Sequence, residues 1–317
     1  GLLRRVVGGH FGLAPKIARL ALDGRIEAYN LPQGCVAHLY RDIAAGKPGT
    51  ISKVGLDTFV DPSREGGKVN AISTDDVVER ITLDGEPYLF YRAFPIKVAL
   101  LRGTTADTAG NITMEREALT LDALAMAMAA KNSHGIVVVQ VERIAAADSL
   151  SPRQVVVPGT LVDCIVQAPP ELHPQTYATP YSPAYSGELK VPLDGLAPLE
   201  LDARKVIARR AAMELRRGQT ANLGFGISAM VPRVLLEEGH AQAVTWAIEQ
   251  GAVGGMPLTG FAFGCASNAD AFVPNGQLQA IAPISDFDAR VATGMGKFDG
   301  VRKQVGEHLS QAQFVPF

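Results

Sequence analysis

The stretch AVTWAIEQGAVGGMP, residues 243–257, decides how the chain is read. Val244, Thr245, Trp246 and Ile248 are β-branched or aromatic, the types that fit a pleated, buried surface, and they predict a strand over 243–248. Glu249 then stands at that strand's carboxyl end, with glycines at 251, 254 and 255 behind it. In open α/β sheets this edge is where ligands bind, and its loops carry the chemistry. Glycines let the backbone approach a ligand closely and aim N–H groups at a developing negative charge. An acid beside a bed of donors is a candidate nucleophile site. A solvated glutamate that ends a strand before an ordinary turn fits the same letters, so the neighbouring order has to decide.

Upstream, LDARKVIARRAAMELRRG predicts a helix with Asp202 as N-cap and Gly218 as its C-terminal stop. A strand over 220–223, the loop GFGISA (224–229), a helix over 230–238 and the strand 243–248 follow. Helix and strand in alternation argue for a mostly parallel sheet flanked by helices. The first part of the chain repeats the theme. Strands are expected over 2–7 and 25–30 and helices over 15–22 and 36–45, with Gln33 and Gly34 in the loop between the second strand and second helix. Asp84-Gly85 between two apolar runs is a hairpin signal. Thr104–Asn111 is expected to be a tight turn, Glu65-Gly66-Gly67 a hairpin or mobile loop, and Thr120–Lys131 a buried helix with Met126 and Met128 as core filler. IVVVQV (136–141) is apolar enough for a strand covered on both faces. Seven prolines between Gln167 and Glu200 exclude regular helix or central strand there and mark a connection wrapped on the surface.

Composition bounds the function. The 317 residues suffice for two domains, and a net charge of −2 gives no electrostatic footprint for nucleic acid. Arg209-Arg210 and Arg216-Arg217 read as a solvated helix face. Cys35, Cys164 and Cys265 lie far apart without CxxC spacing, and the six histidines form no HxxxH or HExxH pair, so no disulfide framework and no metal site is expected. A reducing cytoplasm is the simplest setting. No apolar run approaches the ~20 residues of a membrane span, so no membrane association is expected.

Two enzyme classes compete for one constellation. Gly224, Gly226 and Ala229 match a loose GxGxxA fingerprint between a strand and a helix, and Glu249, 20 residues on, stands where a ribose-binding acid would be. That reading is an NAD-dependent oxidoreductase. It gives the glycines after Glu249 no task. A binding module whose glycines serve a partner peptide is a weaker third reading.

Longer matches tip the balance. ARRAAMELRRGQTANLGFGISAMVP, AIEQGAVGGMP, EAYNLPQGCVAHLYRDIAAG with KPGT behind it, ALLRGTTADTAGNITM and PAYSGE occur in an order that resembles the family I coenzyme A transferases. The resemblance is to the single-chain acetate or propionate CoA-transferase type and runs from Gly1 to about Leu278. It implies two open, mostly parallel α/β domains of CoA-transferase type: residues 1–166, lacking the family's opening strand and helix, and residues 201–317, incomplete and divergent after 278. Residues 167–200 would be the proline-rich connection. It also implies transfer of CoA between a short-chain acyl-CoA and a free carboxylate by a ping-pong route through a glutamyl-CoA thioester on Glu249. Gln33, Gly254 and Gly255 would hold the substrate carboxylate or the oxyanion, and Gly224, Gly226 and Gly251 the CoA. CoA is then a substrate, no cofactor or metal is required, and a cytoplasmic homo-oligomer is expected.

Overall fold

β1 (Arg5–Gly8) and β2 (Glu27–Asn30) pair in parallel, Arg5 opposite Glu27 and Gly8 opposite Asn30. α1 (Pro15–Leu22) joins them and α2 (Gln33–Ala44) follows. The computed structural model describes residues 2–176, 179–189, 192, 196–224, 226–248, 253–254, 256–257 and 263–264, all within the unit Gly1–Asn275. Proline opens α1 because its fixed φ suits a first turn whose N–H groups lack partners anyway. Ala21, Ile26 and Ala28 are buried beneath this layer with Phe11, Ile17 and Leu20 against them. α2 starts three residues before the expected Val36: Pro32 occupies the N-cap and nothing after it breaks the turn.

β3 (Gly49–Ser52), β4 (Val78–Leu83) and β5 (Glu86–Arg92) form an antiparallel sheet in the order β3-β5-β4. Asp84 (φ 50°) and Gly85 (φ 80°) are both left-handed, as a two-residue hairpin loop demands. Residues 53–77 are pinned rather than loose. Asp61, without exposed surface, accepts from the Asp57 and Ser63 backbone N–H groups at 3.0 and 2.9 Å and from Arg80 at 2.8 Å. Burial pushes the Asp61 carboxyl up, but these donors and the Arg80 charge outweigh it and hold the group below its ordinary value.

β6 (Val98–Arg102), β7 (Thr105–Asp107) and β8 (Ile112–Thr113) lead to α3 (Ala123–Asn132), and β9 (Ile136–Val141), β10 (Arg143–Ala145), β11 (Val155–Val157) and β12 (Cys164–Gln167) follow. β12-β9-β6 is wholly parallel; β10-β7-β8-β11 is mixed. The expected turn over 104–111 therefore contains a strand, β7, and only Thr108–Asn111 turns. Val137, Val139 and Val141 are fully buried against α3 through Ala123, Ala127 and Ala130. Their neighbours Ile136 and Leu100 are 51% and 78% exposed. Cover on both faces, expected from the apolar run, is thus found on one among the described residues. Met128 is exposed as well, because α3 turns its small alanines to the sheet and, with Ala129, to α2.

In the later part, α4 (Ala203–Ala212), β13 (Thr220–Leu223), α5 (Val231–Glu237) and β14 (Thr245–Ile248) alternate as expected, followed by the short antiparallel pair β15 (Met256–Pro257) and β16 (Phe263–Gly264). β13 and β14 are parallel, Leu223 opposite Ile248. Ala208, Leu223, Val234, Leu235 and Trp246 share one core. Asp202 does cap α4, its Oδ1 accepting from Lys205 N–H at 2.8 Å. Gly218 does not stop it: the helix ends at Ala212, and Gly218 (φ 87°) instead donates to Ala243 at 2.7 Å, tying the strand entries together. Asp202→Ala is expected to cost about 1 kcal/mol and lower the melting temperature by roughly 2–4 °C in thermal unfolding.

Candidate functional site

Two carboxyl edges matter. At the first, β1 runs into Gly9–Gly12 and β2 into Leu31-Pro32, so both loops leave the same side of a parallel pair. The Leu31 N–H donates to the Gly8 carbonyl at 3.0 Å and holds the loops together. Gln33 is the first residue of α2 and is exposed, while Cys35, two residues on, is buried among Leu31, Val36, Val60, Leu89 and Tyr91. Cys35 thus anchors the first turn and leaves Gln33 facing out. Burial pushes the Cys35 thiol up, away from the reactive thiolate.

The glycine pair at 66–67 belongs to this edge, a role the sequence did not announce. Gly66 and Gly67 have φ 63° and 73° and are buried, and the Gly67 carbonyl accepts from Asn30 N–H at 2.8 Å. A Cβ on Gly67 would stand 2.8 Å from the Asn30 carbonyl oxygen. The expected hairpin or mobile loop is therefore a packed turn against the end of β2. Asn30 itself keeps a buried Oδ1 with no hydrogen-bond partner among the described residues.

At the second edge, Gly224 follows β13 and Glu249 is the residue after Ile248, the last of β14. Gly226 has φ 100° with open space where a Cβ would be, and the Ser228 hydroxyl donates to the Gly224 carbonyl at 2.8 Å, closing the loop. Only glycine takes this φ without strain. The chain has reversed by Val253, which bridges antiparallel to Ala247. Gly254 (φ 82°) donates its N–H to the Trp246 carbonyl at 2.7 Å. That donor is already engaged, so an oxyanion role for Gly254 requires this bond to open. Glu249, Gly251 and Gly255 lie outside the described residues, as does the expected facing of Gln33 and Glu249.

The proline-rich connection is fastened to the earlier strands where it is described. Arg102 donates to the Pro174 carbonyl at 2.8 Å, Gln175 to the Arg116 carbonyl at 2.8 Å, and the Arg116 guanidinium lies 3.8 Å from the Tyr181 ring centroid. His173 is buried, with Nδ1 2.9 Å from Gln140 Nε2 and Nε2 3.2 Å from Glu117 Oε1. Among the described residues no helix is long and apolar enough to cross a membrane.

Comparison with known proteins adds the following. The coenzyme A transferase family profile matches residues 1–168. A caffeate CoA-transferase of Acetobacterium woodii is 46% identical over 279 residues, 88% of this chain and 53% of that protein. An acetate CoA-transferase of Escherichia coli K12 is 38% identical over 274 residues, 86% of this chain and 51% of its own length. The chain thus spans about half the length of the curated relatives it matches. The apoenzyme structure of an acyl-CoA transferase from Escherichia coli O157:H7 superposes with a TM-score of 0.78 at 37% identity, covering 85% of this chain and 50% of that one. That enzyme has also been solved as a thioester complex with CoA.

Proposed function

Since the chain belongs to the coenzyme A transferase family, we propose that it works in the exchange of CoA between an acyl-CoA and a free carboxylate, with Glu249 as nucleophile. The observation that carries the reading is that β14, the strand whose sequence runs on into Glu249, is parallel to β13 and ends with it at a carboxyl edge. A thioester complex known for a relative of matching fold supports the covalent route.

The chemistry is acyl exchange in balanced steps. The Glu249 carboxylate attacks the acyl-CoA carbonyl, and collapse expels CoA thiolate and leaves a glutamyl-acyl anhydride. The thiolate attacks the glutamyl carbonyl of that anhydride, releasing the original acyl group as a free carboxylate and leaving CoA on Glu249 as a thioester. A second carboxylate reverses both steps and departs as the new acyl-CoA. No net proton or electron is consumed, so the scheme requires no redox cofactor, and none of its steps is assigned to a metal. Each tetrahedral intermediate carries an oxyanion; Gly254, once its bond to the Trp246 carbonyl opens, and Gly255 supply candidate backbone donors, each worth ~3–4 kcal/mol when aimed correctly. Gln33, exposed at the first edge, offers its amide to the substrate carboxylate. Gly224 and Gly226 are exposed, Gly226 with open space where a Cβ would be, and with Gly251 they are the candidate residues for holding the CoA chain.

The acyl group is small or planar in this reading, since relatives include a caffeate and an acetate transferase. The same reading includes a homo-oligomer working in the cytoplasm. The nicotinamide alternative gains nothing from these relatives. Trapping tests the proposal. Acetyl-CoA without acceptor should leave CoA on the protein, borohydride should reduce the thioester to an alcohol, and peptide mass mapping should place that alcohol at Glu249. The measurement is made on the chain and on the longest natural reading frame that contains it. Label on a different residue would overturn the assignment.

A further inference from the structure

Nothing holds the Gln33 amide by hydrogen bonding among the described residues; what borders it is Gly9. A Cβ built on Gly9 would stand 2.5 Å from Gln33 Oε1, 3.1 Å from its Cβ and 3.4 Å from its Cδ. The Gln33 side chain therefore lies flat across the turn that follows β1, in space that exists only because residue 9 has no side chain. Gly9 does not have a left-handed φ, so its backbone conformation does not by itself demand glycine. The requirement comes from the neighbour. Gly8, one residue earlier, shows the contrast: its Cβ would meet only the Phe11 ring, at an ordinary 3.5 Å.

From this geometry we propose that Gly9 is a positioning residue, whose missing side chain forms the shelf that sets the direction of the Gln33 amide. The shelf is built from fixed parts. β1 and β2 are locked in register from Arg5 opposite Glu27 to Gly8 opposite Asn30, and Leu31 is bonded to Gly8. The first turn of α2 is anchored from below by buried Cys35 and Val36. With both backbones held, the one soft element is the Gln33 side chain itself. An added methyl at residue 9 thus swings the amide away, while the 3.1 Å contact with the Gln33 Cβ, which no rotation relieves, is met by a shift of a few tenths of an ångström rather than by unfolding of the edge. The functional consequence rests on the reading of Gln33 as the group that orients the substrate carboxylate; the steric claim does not.

Gly9→Ala, Gly8→Ala, Gln33→Ala and the double variant Gly9→Ala/Gln33→Ala test both claims in the full chain and its longest reading frame. The first readout is the nitrogen–proton cross-peak of the Gln33 side-chain amide, assigned by its disappearance in Gln33→Ala. It should move in Gly9→Ala and stay in Gly8→Ala, with thermal melting little changed in both. An unmoved cross-peak in Gly9→Ala overturns the proposal. The second readout is CoA exchange. Gly9→Ala should lower kcat/KM for the acceptor carboxylate by on the order of 10- to 100-fold, the usual consequence of an ångström-scale misplacement. In the Gln33→Ala background the same substitution should change it by less than about twofold, because the residue it acts through is gone. An equal loss in both backgrounds means that Gly9 acts structurally and overturns the proposal. If the unmodified protein exchanges no CoA, the proposed function fails, and the cross-peak alone decides the steric claim.

Discussion

Glu249→Gln is expected to reduce CoA exchange by a factor on the order of 10⁴ to 10⁶, the scale seen when a covalent nucleophile is removed. Glutamine keeps the size and hydrogen-bonding capacity of the side chain and removes only its charge and nucleophilicity. Folding and CoA binding should therefore persist while thioester trapping disappears. Glu249→Asp should also fail severely, by ~100-fold, because it withdraws the carboxylate by about one methylene. Steady-state exchange assays, with isothermal binding of CoA as the folding control, check both. Retention of full exchange by Glu249→Gln would remove the glutamyl thioester from the mechanism.

The second large effect is structural. Asp107 has no exposed surface, and among the described residues it is held by uncharged donors with no cation paired to it. Its carboxylate accepts from Ala109 N–H at 3.0 Å, Asn111 N–H at 2.8 Å, the Asn111 amide at 2.9 Å and Asp148 N–H at 3.3 Å, binding the β7–β8 turn to the loop after β10. The Asn111 amide is the main cause that holds the group below its ordinary value, and burial opposes it. Asp107→Ala leaves these donors without an acceptor and should cost roughly 3–5 kcal/mol in denaturant unfolding. The pH dependence has a definite sign. The depressed carboxyl contributes its stability above its unfolded value of about 3.9 and loses it as pH falls through the lower folded value. Asp107→Asn should flatten the acid limb of the stability profile below pH ~4 and leave its slope near neutrality unchanged. An unaltered acid limb would show that Asp107 contributes no such linkage.

Much of the fold could be read directly because its signals are local. The helix Pro15–Leu22 and the strands Val98–Arg102, Ile136–Val141 and Thr220–Leu223 occur where periodicity and residue type put them. Asp84-Gly85 made its hairpin for the same reason: the φ values of a two-residue loop are a property of those two residues. What escaped depends on distant neighbours. Apolar letters at Ile136 and Leu100 look like a buried sheet whichever face is covered, and only the placement of α3 tells the faces apart. Met128 and Ala127 look equally at home in a core until the alanines turn inward. Gly218 carries the letter of a helix stop but serves Ala243, and Gly66-Gly67 look like a free loop but close on Asn30.

The candidate site divides along the same line. Gln33 could be picked out because a strand, a glycine and a helix follow one another in the chain. Gly9 could not, since its importance lies in the absence of atoms 24 positions away from the residue it serves. The sequence carries one hint: Gly8 ends β1 and Gly9 follows it, so a glycine pair stands at the carboxyl end of the strand parallel to the one that delivers Gln33.

Each parallel pair that leads to part of the candidate site is joined by one short crossover. Arg5 and Glu27, the first partners of β1 and β2, are 22 positions apart, and Thr220 and Thr245, the first partners of β13 and β14, are 25 apart. Closing a loop costs entropy that grows only with the logarithm of its length, so the two closures differ by about 0.1 kcal/mol. Neither pairing needs a contact made far along the chain, so topology gives neither a lead over the other, and synthesis from the amino end brings the β1–β2 pair together first.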